Sequence, residues 1–297
     1  METWFARRPV RDLRPGDHAW LEFVSRQEQE HVVGAFVYEG LSTAEKIVYV
    51  ADARAQELPG MLSRYRIDPR PFAEIGQLRI ISPRVLRGRD GRLDPDRLLG
   101  KIEMEIGQAF EEGYRGVRVT GDLSWAVRQP GGYHRVLGCE HRMGAAIAPS
   151  TLAMAICQVD RGSCSSRELI ALRNEHEVLV EANPEFDDGV LKITRTFEPT
   201  GLRLEGELDG ARHAVFAETL STIATINCDV HLDLGGLRFI DLGALNLLTV
   251  FANRPRNGGR LLLDNIGPDL DLVFETVGWH RLPGLTQGSR ADRGAAS

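Results

Sequence analysis

Asp229-Val-His-Leu-Asp-Leu-Gly-Gly-Leu-Arg-Phe-Ile-Asp-Leu-Gly-Ala-Leu-Asn-Leu-Leu248 decides how the chain is read. Val230, Leu232 and Leu234 alternate with polar residues, the period-two pattern of a strand with one face in a core. Gly235 and Gly236 break the run, and Phe239 and Ile240 resume it up to Asp241. From Leu242 the spacing changes. Leu242, Leu245, Leu248 and Phe251 recur every three residues, the stripe of an amphipathic helix. Asp241 therefore precedes a helix start, where its carboxylate can accept hydrogen bonds from unpaired amides. Strand, tight loop and capped helix imply an α/β domain and, by themselves, no function.

Working outward, Leu191–Phe197 and Leu202–Leu208 are alternating runs around Pro199-Thr-Gly201, which predicts a β-hairpin. Ala214–Ile226 reads as a helix, Arg260–Asp264 as a strand and Leu270–Val277 as a short helix. Residues 183–189, rich in acids with Pro184 and Gly189, read as a linker, and 285–297 as a disordered polar tail.

The run Asp233-Leu-Gly-Gly-Leu-Arg-Phe-Ile-Asp-Leu-Gly-Ala-Leu245 resembles the central signature of STAS domains, the fold of anti-sigma factor antagonists. Glu207-Leu-Asp209 resembles the end of that family's second strand. The resemblance covers about 190–282 and sets a STAS-like domain at 190–284. It implies a docking surface at Asp241, Leu242, Gly243 and Leu245, with an anti-sigma factor or serine kinase of the GHKL type as partner. In the family a serine follows the aspartate and is phosphorylated. Leu242 stands there in this chain, so the phosphate switch, which adds nearly two negative charges to the surface, cannot operate.

The chain has 297 residues, enough for two domains of ordinary size. Its formal net charge is −6. Residues 1–182 carry 25 basic and 26 acidic side chains, and 183–297 carry 11 and 16, so neither part is a nucleic-acid footprint. Four cysteines, no signal peptide and no long apolar stretch predict a cytoplasmic protein with reduced thiols and no membrane segment.

Before residue 183, strands are expected at His18–Phe23, Lys46–Ala51, Leu78–Ile81, Val117–Gly121, Leu152–Val159 and Val178–Glu181. Helices at Glu28–Leu41, Glu57–Tyr65, Leu98–Phe110, Tyr133–Met143 and Ser166–Asn174 alternate with them. The pattern predicts a three-layer, mainly parallel sheet. Such sheets bind ligands beyond the carboxyl ends of their strands. Those ends supply Asp52, Asp122, Trp125, Cys157, Asp160 and Arg161, and His18 opens the first strand.

Nucleotide hydrolysis needs a glycine-rich loop followed by Lys and Ser/Thr. Val24–Glu30 after the first strand has neither glycine nor lysine, and Gly100-Lys101 lies inside a helix. Gly16-Asp-His18, Tyr49-Val-Ala-Asp52, Thr120-Gly-Asp-Leu-Ser-Trp125 and Cys157-Gln-Val-Asp-Arg161 together resemble the MEDS domain, a sensory module related to RecA and KaiC ATPases but lacking their phosphate loop. The resemblance covers about 10–182. It implies a small hydrocarbon-like effector and points to His18 and Cys157.

His134, Cys139, His141 and Cys164 invite a zinc site, but without Cys-x-x-Cys or His-x-x-x-His spacing no metal is expected. The sequence thus predicts an α/β protein, a RecA-like three-layer domain followed by a smaller STAS-like one. It is read as a non-enzymatic signalling protein with no catalytic residue and no cofactor. A nucleotide-dependent enzyme using Asp122 and a scaffold subunit of a STAS assembly are the competing readings. The effector and the oligomeric state, a homo-oligomer included, stay open.

Overall fold

Lys46-Ile-Val-Tyr-Val50 is buried along its whole length, as a parallel strand covered on both faces must be. It belongs to the first of two compact units, Met1–Asn183 and Pro184–Ser297, of a computed structural model that describes residues 5–51, 58–148, 152–223, 229–253, 259–276, 278 and 285–288.

The first unit has strands β1 (Ala6–Pro9), β2 (His18–Phe23), β3 (Lys46–Val50), β4 (Leu78–Ile81), β5 (Val117–Asp122), β6 (Ala153–Asp160) and β7 (Val178–Glu181). They form a seven-stranded sheet in the order β1-β7-β2-β6-β5-β3-β4, parallel throughout. Its helices are α1 (Arg26–Ser42), α2 (Pro59–Leu62), α3 (Arg70–Glu74), α4 (Pro95–Glu111), α5 (Ser124–Val127), α6 (Gly132–Ile147) and α7 (Ser166–Arg173). Leu98, Leu99 and Ile102 of α4, Val136 and Met143 of α6 and Leu172 of α7 share one core with Trp20, Val119, Cys157 and Val159 of the sheet. Phe36 of α1 is fully buried, with the Arg118 guanidinium of β5 4.9 Å from its ring centroid. The expected three layers are present, and β1 extends the unit ahead of the expected start at residue 10.

The second unit is a mixed six-stranded sheet in the order β13-β12-β11-β10-β9-β8. Its strands are β8 (Phe186–Asp187), β9 (Leu191–Phe197), β10 (Thr200–Leu208), β11 (Val230–Ile240), β12 (Leu261–Asp264) and β13 (Leu285–Gln287). The expected hairpin is the antiparallel pair β9–β10, and β10 to β13 pair in parallel. Helices α8 (His213–Ile223), α9 (Leu242–Ala252) and α10 (Pro268–Thr276) pack Phe216, Leu248 and Phe274 into its core.

Three expectations are corrected. β11 runs straight through Gly235 and Gly236, because the pairing with β10 shifts register between Arg203 and Glu205 and absorbs the irregularity. β8 lies inside the stretch read as linker. β13 lies inside the stretch read as tail, where the parallel partner β12 orders three residues of weak pattern. Residues 289–297 fall outside the described residues. At Gly206 φ is +99°, and a Cβ would stand 2.0 Å from the Val190 carbonyl oxygen, so only glycine fits between β9 and β10.

Candidate functional site

Successive residues of a strand point to opposite faces, and this divides the residues expected to form one sensory pocket. Cys157 faces the α4–α6 layer, whereas Gln158 faces α1 and accepts from Gln29 Nε2 at 2.8 Å.

On the α1 side, beyond the carboxyl ends of the strands, a cavity of about 270 Å³ is lined by Phe23, Gln29, Glu30, Tyr49, Asp122, Arg128 and Asp160 among others. Asp122 Oδ1 accepts the Ser124 amide at 2.9 Å, and Asp160 Oδ1 accepts the Gly162 amide at 2.9 Å while its other oxygen pairs with Arg128. Both carboxylates thus fix local turns and also face the cavity. Burial, the largest influence, pushes the Tyr49 hydroxyl well above the usual phenol range, with the Asp122 carboxylate adding to it. Arg161 bonds Glu22 at 2.9 Å and does not line this cavity. Trp125 is partly buried against the core, with the Arg87 guanidinium 5.1 Å from its ring centroid, and lines neither cavity described here. Asp52 lies outside the described residues.

The start of α1, where a phosphate would sit in a nucleotide-binding fold, is closed by its own side chains. Ser25 Oγ accepts the Glu28 amide at 3.1 Å, and Glu28 Oε2 accepts the Val24 amide at 2.8 Å.

On the opposite face, His18 and Cys157 meet. His18 Nε2 lies 3.3 Å from Cys157 Sγ and 3.2 Å from Glu140 Oε2. His176 Nε2 lies 3.4 Å from the same oxygen, and the two imidazoles stack with centroids 4.1 Å apart. All four side chains are buried. Burial favours the protonated carboxyl of Glu140, but the His176 and His18 imidazoles, when protonated, outweigh it and hold the group well below the usual carboxylate range. Burial, reinforced by Glu140, pushes the Cys157 thiol well up. Glu140 and Cys157 also wall an apolar cavity of about 30 Å³ lined by Val50, Leu98, Ile102, Val119 and Met143.

Sequence reasoning missed Glu140 and His176. Glu140 left a signal, a carboxylate inside the buried α6 stripe of Val136, Met143 and Ile147. His176 follows α7 in a connection and left none. His134, Cys139, His141 and Cys164 do not come together as a ligand set among the described residues.

In the second unit Asp241 caps α9, its Oδ1 accepting the Ala244 amide at 2.8 Å. Leu242 follows with 68 % of its surface exposed, and Phe239 of β11 is 48 % exposed. Gly243 abuts His213, since a Cβ there would stand 2.3 Å from the ring Cε1. Leu245 is corrected. Only 4 % of it is exposed, because it belongs to the core stripe with Leu248 and Phe251, and it offers no partner surface.

Together these features define a two-unit α/β protein with a buried polar cluster in one unit and an exposed leucine at a helix start in the other. Residues 17–177, more than half of the chain, match the family model described as MEthanogen/methylotroph, DcmR Sensory domain, and the chain belongs to this MEDS family. Residues 191–286 match the model described as Mlab, STAS domain. A sensory-domain family joined to a STAS domain makes this a signalling or regulatory protein.

Similar solved structures include a KaiC-like protein from Pyrococcus horikoshii (13 % identity, 61 % of this chain and 78 % of that one, TM-score 0.41). The flagellar accessory protein FlaH from Methanocaldococcus jannaschii is another (15 %, 62 % and 78 %, TM-score 0.42). A third is an uncharacterised Pyrococcus horikoshii protein in complex with an unknown peptide (14 %, 65 % and 94 %, TM-score 0.47). No curated protein matches the chain. Among the described residues no helix is long and apolar enough to cross a membrane.

Proposed function

We infer that the chain is a cytoplasmic, non-enzymatic regulator of the anti-sigma factor antagonist type. Its MEDS unit binds a small hydrocarbon-like effector. Its STAS unit docks an anti-sigma factor or serine kinase of the GHKL type.

The observation that carries this reading is the exposure of Leu242 at the family's phosphorylation position, directly after the capping Asp241. Phosphate there would weaken docking, whereas an exposed leucine adds apolar area. A partner covering Leu242 gains on the order of 1–2 kcal/mol. Control then falls to the effector, which must bind one state of the protein better than another for a signal to pass. The internally capped start of α1 argues against a nucleotide as that effector.

The test is affinity capture from the native host with the full chain and with Leu242→Glu. A GHKL-type kinase recovered by the first and lost with the second supports the reading. If neither form recovers such a kinase, the antagonist role is wrong.

A further inference from the structure

His176 cannot be a hydrogen-bond donor at both ring nitrogens without carrying a charge, and its surroundings fix which nitrogen holds the proton. Nδ1 lies 2.9 Å from the Leu172 carbonyl oxygen, which can only accept, so Nδ1 carries the hydrogen. In the neutral ring Nε2 is therefore a bare lone pair, and it faces Glu140 Oε2 at 3.4 Å, acceptor against acceptor. A backbone carbonyl holding one imidazole nitrogen so that the other presents its lone pair is how proteins orient metal-ligating histidines.

The remaining geometry agrees. His18 Nε2 stands 3.2 Å from Glu140 Oε2 and 3.3 Å from Cys157 Sγ, and the four donor atoms all lie within 4.8 Å of one another. Zinc bonds of about 2.0–2.2 Å to nitrogen and oxygen and about 2.3 Å to sulfur place tetrahedral ligand atoms roughly 3.3–3.6 Å apart. The three close contacts sit at or near those edges, and the other donor pairs, within 4.8 Å, would draw together as the ion binds. His176 Nε2 is buried without a hydrogen-bond partner, an arrangement that costs free energy unless something else binds there.

We propose that His18, Glu140, Cys157 and His176 form a closed tetrahedral site for one divalent transition-metal ion, with Zn2+ the best fit. Two neutral imidazoles, a carboxylate and a thiolate carry two negative charges, which a dication balances inside the buried unit. The mixed nitrogen, oxygen and sulfur set suits zinc rather than magnesium or calcium, which take oxygen ligands. Four elements meet at the ion, β2, α6, β6 and the segment after α7, so it would fasten the helix layer to the sheet. Because Glu140 and Cys157 also wall the apolar cavity, the ion would lie just behind its lining. The metal site stands whether or not that cavity takes an effector.

The test uses the full chain and Co2+, whose spectrum reports both thiolate ligation and tetrahedral geometry. Chelator-treated protein titrated with Co2+ should saturate near one equivalent. It should show a thiolate-to-cobalt charge-transfer band with intense visible d–d bands, and Zn2+ should displace both. Cys157→Ser should lose the charge-transfer band, and His176→Gln should weaken binding. His141→Ala, on the exposed side of α6, should behave as the unmodified chain. Far-ultraviolet circular dichroism separates a lost ligand from a lost fold, and the unmodified chain is decisive if a variant does not fold. Failure of the unmodified chain to bind Co2+, an octahedral spectrum, or a charge-transfer band that persists in folded Cys157→Ser would each overturn the proposal.

Discussion

His213 Nε2 stands 2.7 Å from Asp241 Oδ1, the same oxygen that accepts the Ala244 amide at 2.8 Å. One carboxylate oxygen thus ties the start of α8 to the start of α9. Asp241→Ala removes both bonds and should cost about 1 kcal/mol through the lost cap, read as a lower urea midpoint for the full chain. Asp241→Asn keeps a capping oxygen and should cost less. Equal midpoints for Asp241→Ala and the unmodified chain would show that the cap contributes nothing.

Gly243→Ala should push the His213 ring away from Asp241, since the new Cβ would meet Cε1 at 2.3 Å. The ring is the mobile party. The expected signature is a lower urea midpoint for the full chain, from the lost His213–Asp241 bond, with the fold retained by circular dichroism. An unchanged midpoint would mean that the side chains accommodate the methyl without parting.

Lys46 and Glu105 are both buried, with Nζ 3.3 Å from Oε2, and Lys46 also reaches Glu112 at 2.8 Å. Removing Glu105 leaves the buried Lys46 ammonium with only the half-exposed Glu112 as carboxylate partner. Glu105→Ala should destabilise the first unit by about 3 kcal/mol. The double change Lys46→Met with Glu105→Leu should recover much of that loss in chemical denaturation. A double variant no more stable than Glu105→Ala would place the cost in packing rather than charge.

Asp188 accepts the Val190 and Leu191 amides and pairs with Arg212 at 2.8 Å. The Arg212 side chain and the Leu191 amide pull its carboxyl down to about 2 from 3.8. A depressed folded-state value stabilises the protein above the unfolded value, and that contribution fades as pH falls from about 4 toward 2. Asp188→Asn should flatten stability against pH over that window. A curve as steep as that of the unmodified chain would assign the acid sensitivity elsewhere.

What the sequence made legible was local. The Asp241 cap, the β9–β10 hairpin and the parallel strands all follow from patterns a few residues long. Partners from distant segments were not legible. β11 continues through two glycines because β10 lies beside it, and β13 exists because β12 does. His176 meets His18 because β7, which follows it, pairs with β2. The STAS resemblance puts Leu245 on a surface, although its own three-residue period already puts it in the core. Cys157 and Asp160 were grouped as strand-end residues, but the pleat and their depth along β6 send one into the helix layer and the other to the mouth of the larger cavity.

The way α1 begins has a consequence for any effort to endow this unit with ATP binding. Grafting glycines between β2 and α1 would not suffice, because the Glu28 carboxylate already acts as a tethered anion on the Val24 amide. An incoming triphosphate would have to evict that resident, against charge repulsion, before it reached the Val24 amide.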